Sequence, residues 1–278
     1  MSWVFVNDNY FEENDSVLGV GDLSIQRGYA VFDYFRTREN KPLFLDDYLN
    51  RFFNSAKELF IDIPCTPDQI KEVIYKLIDL NNIPQSGFRL TATGGYAPDN
   101  YLPVKGNLII QQQAITLPTK EKFEQGIRII THPYTRDFPT AKSTNYLMGI
   151  WMQQQLVKKQ IDDLLYYSDG IISEFPRANV FIISQTGELI TPSNNVLEGI
   201  TRKQILTFAS DFLPVSTRDI TIDELKKAAE VFMTSTTRRI LPVVEIDGKK
   251  IGEGRAGTLS TRLLNRFLSF EQEYLLAN

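Results

Sequence analysis

Three times after residue 160 this chain sets a tight-turn signal between two apolar runs, in LLYYSDGIISE, VFIISQTGELITP and VVEIDGKKI. The Asp169-Gly170 pair is the strongest of these, because both residues accept the left-handed backbone that a two-residue hairpin turn needs. A chain punctuated in this way is committed to antiparallel strand pairs over much of its second half. Helices are expected around them: one covering roughly 144–159, one starting after LEGIT, one near 222–229 and one over about 257–272. IRIITHPY reads as a further strand.

The first half reads differently. Strand-like text opens the chain, and the ENK corner in RGYAVFDYFRTRENKPLFL separates two apolar-patterned runs as a hairpin does. Leu45, Tyr48, Leu49, Phe52, Phe53, Ala56, Leu59 and Phe60 then fall at helical spacing with one buried face. After TPDQ the pattern repeats at Ile70, Val73, Ile74, Leu77 and Ile78, and strands resume at GFRLTATGG and NLIIQQQAI. The expected fold class is mixed α/β of the α+β kind. A length of 278 residues admits two ordinary domains. We expect a small N-terminal α/β domain over 1–113, a polar linker at 114–120, and a larger strand-rich domain with outer helices over 121–278.

Composition removes several classes of function. Acidic residues outnumber basic ones, 34 to 30, so there is no electrostatic footprint for nucleic acid. No apolar run approaches membrane-spanning length. The opening MSWVFVNDNYFEEND turns acidic too early for a secretory signal, so a cytoplasmic chain is expected. Cys65 is the only cysteine and His132 the only histidine, which leaves no thiolate cluster and no multi-histidine metal site. His132, ahead of a proline in THPY, reads as a packing residue. An enzyme built from this chain must work with Lys, Arg, Tyr, acids or a borrowed cofactor.

One lysine stands out against that background. Between Asp137 and Lys158 the only formal charge is Lys142, in PTAKSTNYLMGIW. A surface lysine laying its stem along apolar neighbours would look the same. A desolvated amine serving as a nucleophile in Schiff-base chemistry would also need such an uncharged setting.

The order and spacing of several motifs then resemble the class IV aminotransferases, the pyridoxal-phosphate enzymes of fold type IV. The matching pieces are RGYAVFDYFR with LDDYLNRFFNSAKEL, AKSTNYL, GIISEFPRANVFII, LEGITRKQI and EVFMTSTTRRILPVVEIDG, which together span nearly the whole chain. The resemblance implies a two-domain fold whose second domain is a pseudo-barrel, with pyridoxal 5'-phosphate in the cleft between the domains. It also implies a homodimer in which a loop from the partner subunit completes the substrate pocket. The reaction it implies is ping-pong transamination between an amino acid and a 2-oxo acid.

Site residues follow by the same resemblance. Lys142 would join the cofactor's aldehyde carbon and shuttle the proton at the substrate Cα. Glu174 would partner the pyridine nitrogen, although an ordinary acid at a strand end would occupy the same position. Asn179, in the same motif, reads as a structural hydrogen-bonder beside the cofactor. Ile200 and Thr201, opening a helix after Gly199, would bind the phosphate through backbone amides. Thr236 would join them, with Thr237 close to the substrate carboxylate. Arg51 matches the family's phosphate-binding arginine, although the helical pattern by itself places it in solvent. Tyr146, four residues after Lys142 and so about one helical turn away, is either a ligand of the cofactor's phenolic oxygen or a core residue.

The tail VFMTSTTRRILPVVEIDGKKI is most similar to D-amino acid aminotransferases, which usually trap the substrate carboxylate with an arginine and a histidine in one loop. Here that loop reads TATGGYAPDNY: Thr93 stands for the arginine, and Tyr101 follows Asn100 where the histidine is expected. Arg27 and Arg89 are the candidate replacements, two guanidinium groups suited to a carboxylate. Each could instead be a surface residue, Arg27 at a strand edge and Arg89 pointing outward from a strand. Gly87 stands where branched-chain enzymes carry a tyrosine. The expected activity is D-amino acid transamination with 2-oxoglutarate or pyruvate. A branched-chain or broad L-aminotransferase comes second and an aminodeoxychorismate lyase third. A degenerate dimeric scaffold without cofactor is the alternative outside catalysis.

Overall fold

The alternation of apolar residues in the first 114 positions becomes one antiparallel sheet. Its strands are β1 (Trp3–Val6), β2 (Asn9–Glu12), β3 (Ala30–Arg38), β4 (Lys41–Pro42), β5 (Ser86–Thr93) and β6 (Leu108–Ala114), in the order β2-β1-β6-β5-β3-β4. The computed structural model of the chain describes residues 2–277. The ENK corner is the β3–β4 turn, with Glu39 and Asn40 both left-handed at φ 56° and 62°. Beside the sheet run α1 (Leu23–Arg27), α2 (Leu45–Glu58) and α3 (Pro67–Asn81). The last of these starts on a capping box, Thr66 with Gln69, and has Pro67 in its first turn.

Successive β3 side chains alternate between the two faces of the sheet. Val31, Asp33 and Phe35 face α2, where Phe35 packs against Tyr48 and stacks on Phe88. Phe32 and Tyr34 therefore belong to the opposite face, together with Arg89 across the ladder on β5. That second face carries the chemistry described below.

The second half supplies α4 (Lys120–Gln125), β7 (Ile127–Pro133), α5 (Leu147–Lys159), β8 (Asp163–Ser168), β9 (Ile171–Ile172), β10 (Glu174–Phe175), β11 (Ala178–Ile183) and β12 (Leu189–Thr191). It continues with α6 (Ile200–Ala209), β13 (Val215–Thr217), α7 (Ile222–Lys226), β14 (Glu230–Ser235), β15 (Arg239–Ile246), β16 (Lys249–Lys250) and α8 (Thr258–Ala277). The strands join in the order β13-β12-β11-β14-β15-β7-β8-β9, with β10 paired to β11 and β16 to β15. The pairs β7–β8, β7–β15 and β12–β13 are parallel, and the three hairpins read from the sequence are antiparallel. A buried cluster of aliphatic side chains with Phe175 and Met233 forms this unit's core. No helix among the described residues is long and apolar enough to cross a membrane.

Two differences from expectation matter for the site. The residues up to Thr116 form one compact unit together with Ala141–Asn145, while Leu117–Thr140 and Tyr146 onward form the other. The lysine segment thus packs with the first half of the chain. The helix expected from about 144 begins only at Leu147. Its expected first turn is instead bonded to the edge of β3: the Phe32 amide donates to the Lys142 carbonyl and the Thr144 amide to the Ala30 carbonyl, both at 2.9 Å. Residues whose backbone groups are used in this way are unavailable to a helix. Smaller differences are that the expected linker already holds the start of α4 and that α7 ends at Lys226.

Candidate active site

In the first unit the site is built on the outer edge of β3. Val31 and Ser143 form an antiparallel bridge, the Lys142 amide donates to Ser55 Oγ on α2 at 3.0 Å, and the Thr144 hydroxyl donates to the Gly28 carbonyl at 2.9 Å. The backbone on both sides of Lys142 is therefore fixed, and its side chain is half-buried. The amine lies 4.8 Å from the centre of the Phe32 ring, and the Arg89 guanidinium carbon lies 3.9 Å from the same centre. One aromatic ring thus brings together the lysine and one of the two candidate carboxylate-binding arginines, in a cation–π arrangement that holds both.

The other arginine is placed elsewhere. Arg27 is the last residue of α1 rather than a strand-edge residue; it is exposed, and it donates to the carbonyl of its neighbour Gln26 at 3.0 Å. Thr93, at the position of the missing trap arginine, is fully buried and donates to Asp22 Oδ2 at 2.7 Å. Asn107 donates to the same oxygen at 2.7 Å, and Asp22 Oδ1 accepts from the Ser24 amide at the start of α1. This buried carboxylate therefore ties α1 to both ends of the loop that holds Asn100 and Tyr101. Tyr101 is 81% exposed.

The expectation that Arg51 lies in solvent is corrected. Its side chain is only 10% exposed, and it pairs with Asp33 through Nε to Oδ2 at 2.9 Å and Nη2 to Oδ1 at 2.6 Å. The acid is an inward-facing residue of β3, so the helix turns its arginine toward the sheet rather than away from it. A bidentate pair of this kind fixes the plane of the guanidinium.

In the second unit Glu174 is held from two sides. Arg136 Nε donates to Glu174 Oε1 at 2.7 Å, the Leu197 amide donates to Oε2 at 2.9 Å, and the two side chains are 9% and 5% exposed. Arg136 also donates to the Pro139 carbonyl at 2.6 Å. The bonds on both carboxylate oxygens favour the ionised form. Asn179 pairs with Glu174 across β10 and β11, and its Nδ2 donates to the Leu197 carbonyl at 2.7 Å. Leu197 is consequently pinned at both its amide and its carbonyl, which fixes the approach to α6.

That helix begins at Ile200 and Thr201 with Gly199 as its N-cap, so no side chain caps its first amides. A Cβ on Gly199 would lie 2.0 Å from Asn179 Oδ1, and hence only glycine fits there. The buried Thr234 hydroxyl, opposite Asn179 on β14, has no hydrogen-bond partner among the described residues. Half-buried Thr236 and Thr237 follow in the turn to β15. An uncapped helix start, a threonine turn and an unsatisfied buried hydroxyl are donors suited to a phosphate. The ionised carboxylate nearby is suited to a protonated ring nitrogen. Residues and cofactor fit.

Tyr146 sits just ahead of α5, so its spacing from Lys142 is not a helical turn. Arg136, Asp33 and Arg202 are charged residues with little exposure, held by ion pairs or hydrogen bonds, that the sequence reading does not single out. Arg202, on α6, donates to Thr191 Oγ1 at 3.2 Å and to the Pro192 carbonyl at 3.0 Å. Burial pulls its guanidinium below the ordinary value, opposed by the charges of Glu198 and Glu174. The only signal available for these residues was the rule that a buried charge needs a partner.

Residues 30–246 match the family described as amino-transferase class IV, and the chain belongs to it. It is an aminotransferase, similar over nearly its whole length to other aminotransferases. It is 29% identical over 281 residues to the D-alanine aminotransferase of Staphylococcus epidermidis, covering 99% of both chains. It is 31% identical to a putative branched-chain-amino-acid aminotransferase of Methanocaldococcus jannaschii, covering 95% of this chain and 94% of that one. Among solved structures, the Escherichia coli branched-chain amino acid aminotransferase superposes with a TM-score of 0.90. That match is 25% identical and covers 96% of this chain and 94% of the other. A second branched-chain amino acid aminotransferase, from T.th. and solved with pyridoxamine 5'-phosphate, superposes with a TM-score of 0.91 at 26% identity, covering 98% of this chain and 95% of the other.

Proposed function

We propose that this chain is a D-amino acid aminotransferase that passes the donor's amine to 2-oxoglutarate or pyruvate, and that it holds a substrate carboxylate through arginine rather than through the usual loop. One observation carries this: the Phe32 ring lies within reach of both the Lys142 amine and the Arg89 guanidinium. A candidate carboxylate receptor therefore shares one aromatic ring with the amine. The similarity to a D-alanine aminotransferase over the full length supports the choice of donor.

Pyridoxal 5'-phosphate is the cofactor, and when bound it supplies an aldehyde carbon and an electron-accepting ring. Lys142 Nζ would hold that carbon and would move the proton at the substrate Cα. Glu174 keeps a proton on the ring nitrogen, with Arg136 and the Leu197 amide orienting its carboxylate. The Ile200 and Thr201 amides, Thr236 and Arg51 bind the phosphate, Arg51 being held in plane by Asp33. Asn179 shapes the start of α6, Tyr146 meets the cofactor's phenolic oxygen, and Thr237 lies near the substrate carboxylate. Arg27 acts from the exposed C-terminal end of α1, consistent with a role in a homodimer. The exposed Leu147, Ile150 and Trp151 on α5 are apolar surface that suits such an assembly.

Borohydride reduction of the cofactor-loaded protein followed by peptide mass spectrometry tests the assignment. The expected result is a single reduced adduct on Lys142; an adduct on any other lysine refutes it. A branched-chain L-aminotransferase is the second reading, favoured by the fit to the two solved branched-chain enzymes.

A further inference from the structure

Tyr34 and Gly87 compete for one space. A Cβ on Gly87 would lie 1.8 Å from Tyr34 Oη and 2.4 Å from its Cζ. Tyr34 is paired with Arg89 across β3 and β5, whereas Gly87 is paired with Arg36. The phenol therefore leans two residues along β5 and lies over the bare Cα of Gly87. There it shares a hydrogen bond with Gln113, the β6 residue paired with Gly87. Burial raises the phenol's pKa, and the Arg89 charge opposes that, so the guanidinium is within electrostatic reach of the ring.

This arrangement limits where Arg89 can go. Its side chain is on the same face as Phe32 and Tyr34, and an arginine on a strand can swing either way along it. Toward Gly87 the notch is filled by the anchored phenol. Toward Ala30 it meets Phe32, and the guanidinium lies on that ring, which Lys142 also approaches.

We propose that Tyr34 is a positioning residue for substrate choice: by filling the notch over Gly87 and bonding Gln113, it holds Arg89 over Phe32, where the guanidinium receives the second carboxylate of a dicarboxylic substrate. This rests on the proposed role of Arg89 as a carboxylate receptor. A five-carbon dicarboxylic oxo acid gains from the arrangement, and pyruvate, with one carboxylate, does not.

The test uses the cofactor-loaded enzyme in five forms: Tyr34→Ala, Tyr34→Phe, Gly87→Ala, Arg89→Leu, and the exchange Tyr34→Gly with Gly87→Tyr. KM is measured for 2-oxoglutarate and for pyruvate, and the Kd of glutarate, which cannot react, is measured by calorimetry. Tyr34→Ala and Gly87→Ala should raise the 2-oxoglutarate KM and the glutarate Kd about tenfold, within the range of coupling between residues in contact. The pyruvate KM should move less than about threefold. Tyr34→Phe, which keeps the bulk and loses only the bond to Gln113, should fall between the wild type and Tyr34→Ala and guards against a variant that does not fold. The exchange should recover at least half of the lost selectivity, since a tyrosine again fills the space. Equal changes for both acceptors, or an unchanged glutarate Kd in Gly87→Ala, would overturn the proposal. If Arg89→Leu leaves the 2-oxoglutarate KM and the glutarate Kd unchanged, the carboxylate-receptor role of Arg89 fails. If Arg89→Leu weakens both while the Tyr34 and Gly87 variants do not, only the positioning role fails.

Discussion

Replacing Arg136 with methionine should destabilise the protein through Glu174. The substitution leaves a carboxylate only 5% exposed, with the Leu197 amide at 2.9 Å on one oxygen and nothing charged in place of the Nε bond at 2.7 Å on the other. Breaking a buried, hydrogen-bonded ion pair from one side costs about 3–5 kcal/mol, because the remaining charge stays out of water without compensation. At about 2–4 °C per kcal/mol for a chain somewhat shorter than this one, the melting temperature should fall by about 6–20 °C. The double variant Arg136→Met with Glu174→Leu removes both charges and should be more stable than Arg136→Met alone. Melts followed by circular dichroism, on cofactor-free protein, compare the wild type, both single variants and the double variant. If the double variant loses the sum of the two single losses, the residues are not coupled and the orienting role given to Arg136 is wrong.

Other consequences can be checked separately. Lys142→Ala should lose turnover by at least about a thousandfold, since in the role proposed for it the lysine is both the covalent attachment and the proton carrier; steady-state assays with added cofactor measure this. Arg51→Ala should weaken pyridoxal-phosphate affinity and also strand Asp33 in the sheet, so its melting temperature should fall even without cofactor. Alkaline stability should depend on Tyr166, whose phenol burial pushes far above its ordinary value. A raised value in the folded state means stability is full below pH 10 or so and is lost as pH rises and the unfolded chain ionises first. Tyr166→Phe should therefore flatten the fall in melting temperature between pH 9 and 11, about one unit either side of the ordinary tyrosine value; an unchanged slope would refute this.

Much of the scaffold was legible because the signals are local. Asp169-Gly170 and the Ile70–Ile78 periodicity need only their immediate neighbours to declare a turn and a helix. Lys142 was conspicuous because no other charge lies near it in sequence. The illegible features are long-range. Arg51 reads as solvated on a helical wheel, since nothing local reveals that Asp33, 18 residues earlier, faces the same helix from a strand. The expected first turn of α5 is lost to hydrogen bonds with β3 and the residues just before it, 110 or more positions away in the chain. Gly87 reads as an omission until strand pairing brings Tyr34 over it. Arg136, in an irregular stretch between β7 and Lys142, carries no periodic signal at all.

The central claim is that Lys142 carries the cofactor in an enzyme acting on D-amino acids. The absorption spectrum of the cofactor-loaded protein, followed while D-glutamate or D-alanine is added to one sample and L-leucine or L-glutamate to another, tests it directly. Loss of the band of lysine-bound cofactor with the D-acids alone is the predicted result. Loss of that band with the L-acids alone, or no such band at all, would contradict it.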